Sequence, residues 1–329
     1  MATNVNAAMQ RFLRAVAANG GPPVFTVKPD ATQEAPPPEP VGPGNAYAVD
    51  IEERTIPVGP LGSTRIVLVR PHSARERLPV LIYFHGADWI QGDFDMYRRL
   101  VQDIAHDAHI AVVLVDYDRL LGSHHPVAFD EAYDATNYVA EHADEFDVDT
   151  AGLAIAGDGV GGNMVAAVSL FADERGGPSI RSRLLLYAVT GGNPEKHSRS
   201  EFAKGQWLTQ YIMKWYWPLQ TSLEQLEAQP PALIITDDEN VLPDGGGTDS
   251  PKFALSGVAV MPIRSLTDAH DFIVLNGLSD TPVTRRAVAL VSAMLRRELS
   301  KQQDHGRTIP FGMSVTAAEP RGSSAPLPG

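Results

Sequence analysis

Ala156–Met164 reads AGDGVGGNM, and it follows the short apolar run Leu153–Ala156. An apolar run, a burst of glycines and then the helical pattern Gly162–Asp173 make a strand, a tight turn and a helix. Gly157, Gly159 and Gly161 keep the small-residue frame of G-x-S-x-G, the turn that presents a nucleophile at the end of a strand. Glycine occupies the serine's place. The frame is small because strand and helix approach closely there. The central residue is ordinarily strained, and glycine relieves that strain at no steric cost. A second register also fits, since Gly157, Gly159 and Gly162 match G-x-G-x-x-G. Against a dinucleotide, the next apolar run, Leu184–Tyr187, ends in Ala188 with no acid to hold a ribose; against a phosphate loop, no Walker lysine follows.

Outward from this turn, strands and helices alternate. The short apolar runs Ile66–Val69, Val80–Phe84, Ala111–Val115, Ala154–Ala156, Leu184–Tyr187, Ala232–Ile235 and Val258–Ile263 read as strands. Met96–His106, Ala128–His142, Gly162–Asp173 and Val283–Glu298 read as helices. Continuous apolar strands alternating with helices predict a mostly parallel central sheet covered on both faces. Ser198–Trp217 breaks the alternation with Trp207, Tyr211, Met213, Trp215, Tyr216 and Trp217. An aromatic helical insertion after a strand suggests a cap over a pocket, or aromatics filling the helix–sheet core.

The ends differ in kind. Ala7–Ala18 spaces Met9, Phe12, Leu13 and Val16 as one amphipathic helix, and Pro36–Gly44 (PPPEPVGPG) is an extended linker. Three parts follow: residues 1–48 with the cap helix and linker, a core over 49–300 carrying a cap insertion at about 195–222, and a flexible tail over 301–329.

Composition removes whole classes of function. The net charge of −13 repels nucleic acid and anionic membrane surfaces, so neither is an expected partner. With no cysteine there is no disulfide, thiolate metal site or cysteine nucleophile. The first twenty residues hold no apolar core of a secretory signal, and no run approaches a membrane span, so a cytoplasmic protein is expected.

Two further segments sit after strands. Phe84–Gly92 (FHGADWIQG) has the His-Gly and small residues of a loop that donates oxyanion-hole N–H groups. Thr236–Gly246 (TDDENVLPDGG) and Asp268–Phe272 (DAHDF) place an acid loop and then a histidine late in the chain. The order is nucleophile position, acid, histidine.

These motifs resemble those of the hormone-sensitive-lipase type of carboxylesterase, an α/β-hydrolase-fold family, over Val49–Leu299. The family's HGGGW stands here as His85-Gly86-Ala87-Asp88-Trp89, and its GDSxGGN as Gly157-Asp158-Gly159-Val160-Gly161-Gly162-Asn163. Thr236–Gly246 matches its acid loop and puts Asn240 at the aspartate, while His270-Asp271-Phe272 keeps the histidine. The resemblance implies a helical cap, no cofactor and no metal, and a homodimer formed through the last strand and helix. It implies a catalytic set of His270, Asn240 and the vacant nucleophile position Gly159. Oxyanion and substrate contacts would come from Gly86, Ala87, Asp88, Val160, Trp89, Trp207, Tyr211 and Trp215.

The departures carry as much as the matches. Gly159 supplies no oxygen or sulfur. Asn240 can fix the tautomer of His270 but gives an imidazolium no charge; in serine proteases the Asp-to-Asn change costs ~10⁴ in rate. Asp88 beside an oxyanion hole opposes developing negative charge unless it is protonated. Asp158 reads as a structural hydrogen-bonding residue. Asp237, Asp238 and Asp244 stand near Asn240 as substitute partners of His270, and His124 and His125 read as loop residues.

The expected function is therefore non-hydrolytic. One reading is dehydration, elimination or cyclisation of a hydrophobic small molecule by His270 and Asp88. Two alternatives stay open: a non-catalytic small-molecule-binding pseudo-esterase, and a carboxylesterase inactivated by an engineered glycine.

Overall fold

The computed structural model describes residues 47–86, 94–117, 125–188, 229–237, 260–265 and 272–300. The N-terminal helix, the Pro-rich linker, the cap insertion and the tail expected from the sequence lie outside the described residues.

Eight strands form one sheet: β1 Val49–Ile56, β2 Thr64–Pro71, β3 Leu78–Phe84, β4 Ala111–Asp116, β5 Val148–Asp158, β6 Ser182–Leu186, β7 Ala232–Asp237 and β8 Val260–Ser265. Their spatial order is β1-β2-β4-β3-β5-β6-β7-β8. β2 is antiparallel to both β1 and β4; every pairing from β4 through β3 to β8 is parallel. Parallel pairs need long crossovers, and helices are described in those from β3 to β4, β4 to β5 and β5 to β6, with one more after β8. They are α1 Phe94–Ala108, α2 His125–Glu141, α3 Ala143–Phe146, α4 Val160–Arg175 and α5 Pro282–Leu299.

Burial on both faces explains the unbroken apolar strands. Val80, Ile82, Phe84, Ile155 and Leu185 pack on one face with Ala128, Phe129, Val165 and Val168 of α2 and α4. Leu81, Tyr83, Ala154, Leu184 and Leu233 pack on the other with Leu100, Ile104, Val291 and Leu295 of α1 and α5. Each buried Val, Leu, Ile or Phe among them contributes roughly 1.5–3 kcal/mol by leaving water. Neither face alone could account for the pattern.

All seven strands and four helices expected from the sequence are present, with shifted ends. β8 runs two residues later than the apolar run Val258–Ile263 suggests. α2 begins early at His125 with Pro126 in its first turn, where a missing N–H costs nothing. α5 is capped by Thr281, whose Oγ1 accepts from Thr284 N at 3.3 Å, with Pro282 as its first residue. β1 has no apolar signature and was not expected. As an edge strand it exposes Asp50, Glu52, Glu53 and Thr55 and fully buries only Ile56.

Candidate active site

β5 lies between β3 and β6, and its last residue Asp158 pairs with Leu186. α4 begins at Val160, so Gly159 makes the whole reversal by itself, with φ 51° and ψ −116°. An L side chain rarely adopts positive φ with that ψ. The Gly159 N–H donates to the Leu186 carbonyl at 3.0 Å, which ties the turn to the neighbouring strand.

The flanking glycines are required by contact. A Cβ on Gly157 would overlap the Gly161 carbonyl, one on Gly161 would overlap the Phe84 carbonyl, and one on Gly162 would meet the Ala188 Cβ. The start of α4 thus rests on the ends of β3 and β5 and on the residue after Tyr187. The glycines of the G-x-G-x-x-G register are explained by this packing. Val160 opens α4, and its N–H belongs to a first turn that lacks intrahelical acceptors and carries the positive end of the helix dipole.

Beneath the turn sits a buried carboxylate. Asp158 has no exposed surface. Tyr83 Oη of β3 donates to its Oδ1 at 2.8 Å, and Tyr97 Oη of α1 donates to its Oδ2 at 3.0 Å. The Gly86 N–H points to the same place, 3.1 Å from Asp158 Oδ1 and 3.1 Å from Tyr97 Oη. A carboxylate out of water needs such donors. This corrects the expectation that Gly86 offers its N–H to an oxyanion. A carboxylate and a phenol hold that N–H inward, so it anchors the loop.

His85 is equally enclosed. Its ring stacks on Tyr117 with centroids 4.3 Å apart and planes 8° apart, and its Nε2 lies 3.9 Å from Asp116 Oδ1. Tyr117 Oη donates to the His85 carbonyl at 2.5 Å. The first two residues of the oxyanion-type loop are therefore fixed from β3, β4, β5 and α1 together. Tyr83, Tyr97 and Tyr117 were not singled out in the sequence. The available signal was a phenol set at the end of a buried apolar strand, where its hydroxyl must find a partner.

Other expected site residues, Ala87, Asp88, Trp89, Asn240, His270, Trp207, Tyr211 and Trp215, lie outside the described residues. The backbone nonetheless fixes where their segments leave the sheet. Residues 87–93 run between Phe84-His85-Gly86 and the start of α1. The acid loop follows β7 at Asp237, and the histidine loop follows β8 at Ser265, which pairs in parallel with Asp237. The strands β3, β5, β7 and β8 all deliver these segments at one edge of the sheet, the edge where α/β sheets bind ligands. Downstream of His270, Phe272 is buried with its ring 6.0 Å from that of Tyr187.

A positive-φ strand-to-helix turn at the centre of an eight-stranded sheet of this order, facing a histidine-headed loop, defines an α/β-hydrolase. A family model described as alpha/beta hydrolase fold matches residues 81–274. The carboxylesterase NlhH of Mycobacterium tuberculosis is 31% identical over 267 residues, spanning 76% of this chain and 83% of that protein. A thermostable esterase from Pseudomonas putida ECU1011 superposes with a TM-score of 0.79 at 36% identity, covering 90% of this chain and 98% of that one. A variant of esterase rPPE complexed with (S)-Ac-CPA gives a TM-score of 0.80 at 35% identity, covering 91% and 99%. The chain belongs to the α/β-hydrolase family, and within it to the hormone-sensitive-lipase type of carboxylesterase. None of the described helices is long and apolar enough to cross a membrane.

Proposed function

We propose that this member of an esterase family does not hydrolyse esters through an acyl-enzyme. It uses the inherited site to polarise a carbonyl and move protons on a hydrophobic small molecule. The observation that carries this reading is Gly159: the residue at the positive-φ turn between β5 and α4 has no side chain to attack with. Asn240 in the acid loop supports the same view, because covalent turnover at a serine is slowed ~10⁴ when asparagine replaces the aspartate.

The remaining groups suit a dehydration. A substrate oxygen is held by the Val160 N–H at the start of α4 and by the Ala87 N–H. His270 removes the proton next to that carbonyl, and the C–O bond to a β-hydroxyl breaks. Asp88, acting as the general acid, gives its proton to the departing oxygen, and water leaves. The imidazolium then returns its proton to Asp88, which closes the cycle. The aromatic cap with Trp207, Tyr211 and Trp215, together with Trp89, supplies the apolar walls. No cofactor or metal is needed. The chain works as a cytoplasmic protein without nucleic acid or membrane, and it pairs as a homodimer through β8 and α5.

The test uses hydrophobic β-hydroxy carbonyl compounds, with water loss followed by NMR. Turnover that disappears in His270→Gln is the expected result. Saturable binding of such compounds, or of (S)-Ac-CPA, without turnover would move the assignment to a binding protein. Labelling of the unmodified chain by a fluorophosphonate would sink the proposal.

A further inference from the structure

The turn that follows the histidine loop is held in an unusual way. Phe272, Ile273 and Val274 are buried although they belong to neither a helix nor a strand. Buried carbonyls in such a segment need hydrogen-bond donors from elsewhere. Side chains supply them. Thr284 Oγ1 of α5 donates to Phe272 O at 3.1 Å. Arg99 of α1 donates from Nη2 to Ile273 O and, at 3.2 Å, to Val274 O.

The same guanidinium donates from Nε to Asn276 Oδ1 at 3.0 Å and from Nη1 to Asp103 Oδ2 at 2.8 Å. Arg99 is 5% exposed, and its charge is paired with Asp103 one helical turn away. Only a planar fork reaches a carboxylate, an amide and two carbonyls at once; an ammonium would serve fewer.

The placement of Arg99 gives this clamp its meaning. Two positions earlier on α1, Tyr97 holds Asp158 and the Gly86 N–H. Residues two apart on a helix do not face one another, so α1 reaches in two directions. One arm grips the turn at Gly159 and the oxyanion-type loop, and the other grips the chain three to six residues after His270. We infer that Arg99 is a positioning residue for His270, and that α1 sets the span between the histidine and the polarising N–H groups. This rests on the reading above that His270 works on the ligand. Arg99 itself touches no reacting atom.

The control is Arg70, which clamps the carbonyls of Phe146 and Asp147 far from the site, at 2.9 Å and 2.7 Å. In the full chain with labelled histidine, the His270 ring signals are assigned with His270→Gln and titrated. Arg99→Met is expected to shift the His270 midpoint by about half a pH unit or more, or to split its signals, and Arg99→Lys to do so partially. Arg70→Met lowers thermal stability but leaves the His270 signals in place. Asn276→Ala removes one arm and keeps the charge pair, so it reports even if Arg99→Met fails to fold. The inference is overturned if Arg99→Lys and Asn276→Ala leave His270 as unmoved as Arg70→Met does. The proposed chemistry fails separately, through loss of the His270→Gln effect on turnover, whatever the NMR shows.

Discussion

Helix α4 ends on a positive-φ glycine at both of its termini, and the two ends could hardly be less alike. At the C-terminus Gly176 has φ 64° and ψ 35°, the left-handed conformation that closes many helices, and a Cβ there would meet nothing within 4 Å. At the N-terminus Gly159 has φ 51° but ψ −116°, with Gly157, Gly161 and Gly162 pressed against backbone or a methyl group around it. A buried carboxylate gripped by two tyrosines lies directly before it. One glycine ends a helix. The other stands on scaffolding far too elaborate for a turn, and that surplus is what identifies the site.

The contrast can be broken in several places. The largest effect is expected at Gly161→Ala, whose methyl would press into the Phe84 carbonyl, a backbone atom that cannot step aside. Overpacking of this kind costs about 3 kcal/mol or more, read by urea unfolding, and a loss below about 1 kcal/mol would show the N-terminal end to be as roomy as the other. Asp158→Ala takes this acceptor from the hydroxyls of Tyr83 and Tyr97 and removes one of the two acceptors of the Gly86 N–H. The expected loss is about 2–3 kcal/mol in the same measurement, and a neutral outcome would make the carboxylate ornamental.

The smallest effects sharpen the comparison most directly. Gly176→Ala has open space and bears only the backbone penalty, about 1 kcal/mol, with Gly176→Asn costing less. Gly159→Ala bears a similar or larger penalty, about 1–3 kcal/mol, because its ψ suits an L residue less well. Differential scanning calorimetry of the two variants side by side checks the order. A reversed order would mean that the turn at Gly159 is relaxed.

Much of this was legible in the amino-acid sequence. Apolar strands of period one, broken by helical stretches, predict a sheet covered on both faces, and the structure has it. Gly157 and Gly161 signalled a close approach, and backbone contacts explain both. β1 escaped because an edge strand with charged outward residues has no apolar period to read. The tyrosine network escaped for a different reason: Tyr83 and Tyr97 are 14 residues apart in sequence and Asp158 is distant from both, so only the fold brings them together. The role of Gly86 was misjudged because a motif names the residue without saying where its N–H points. Arg99 had no signal at all, since an arginine on a helix reads as solvated until its buried partners appear.

The most direct test compares hydrolysis of short p-nitrophenyl esters by the unmodified chain and by the double variant Gly159→Ser, Asn240→Asp. An inert parent beside an active variant is the predicted result. It would show that the turn still presents position 159 for attack and that the changes at 159 and 240 together silence the esterase chemistry. Appreciable hydrolysis by the unmodified chain, surviving full purification, would contradict the account at its centre.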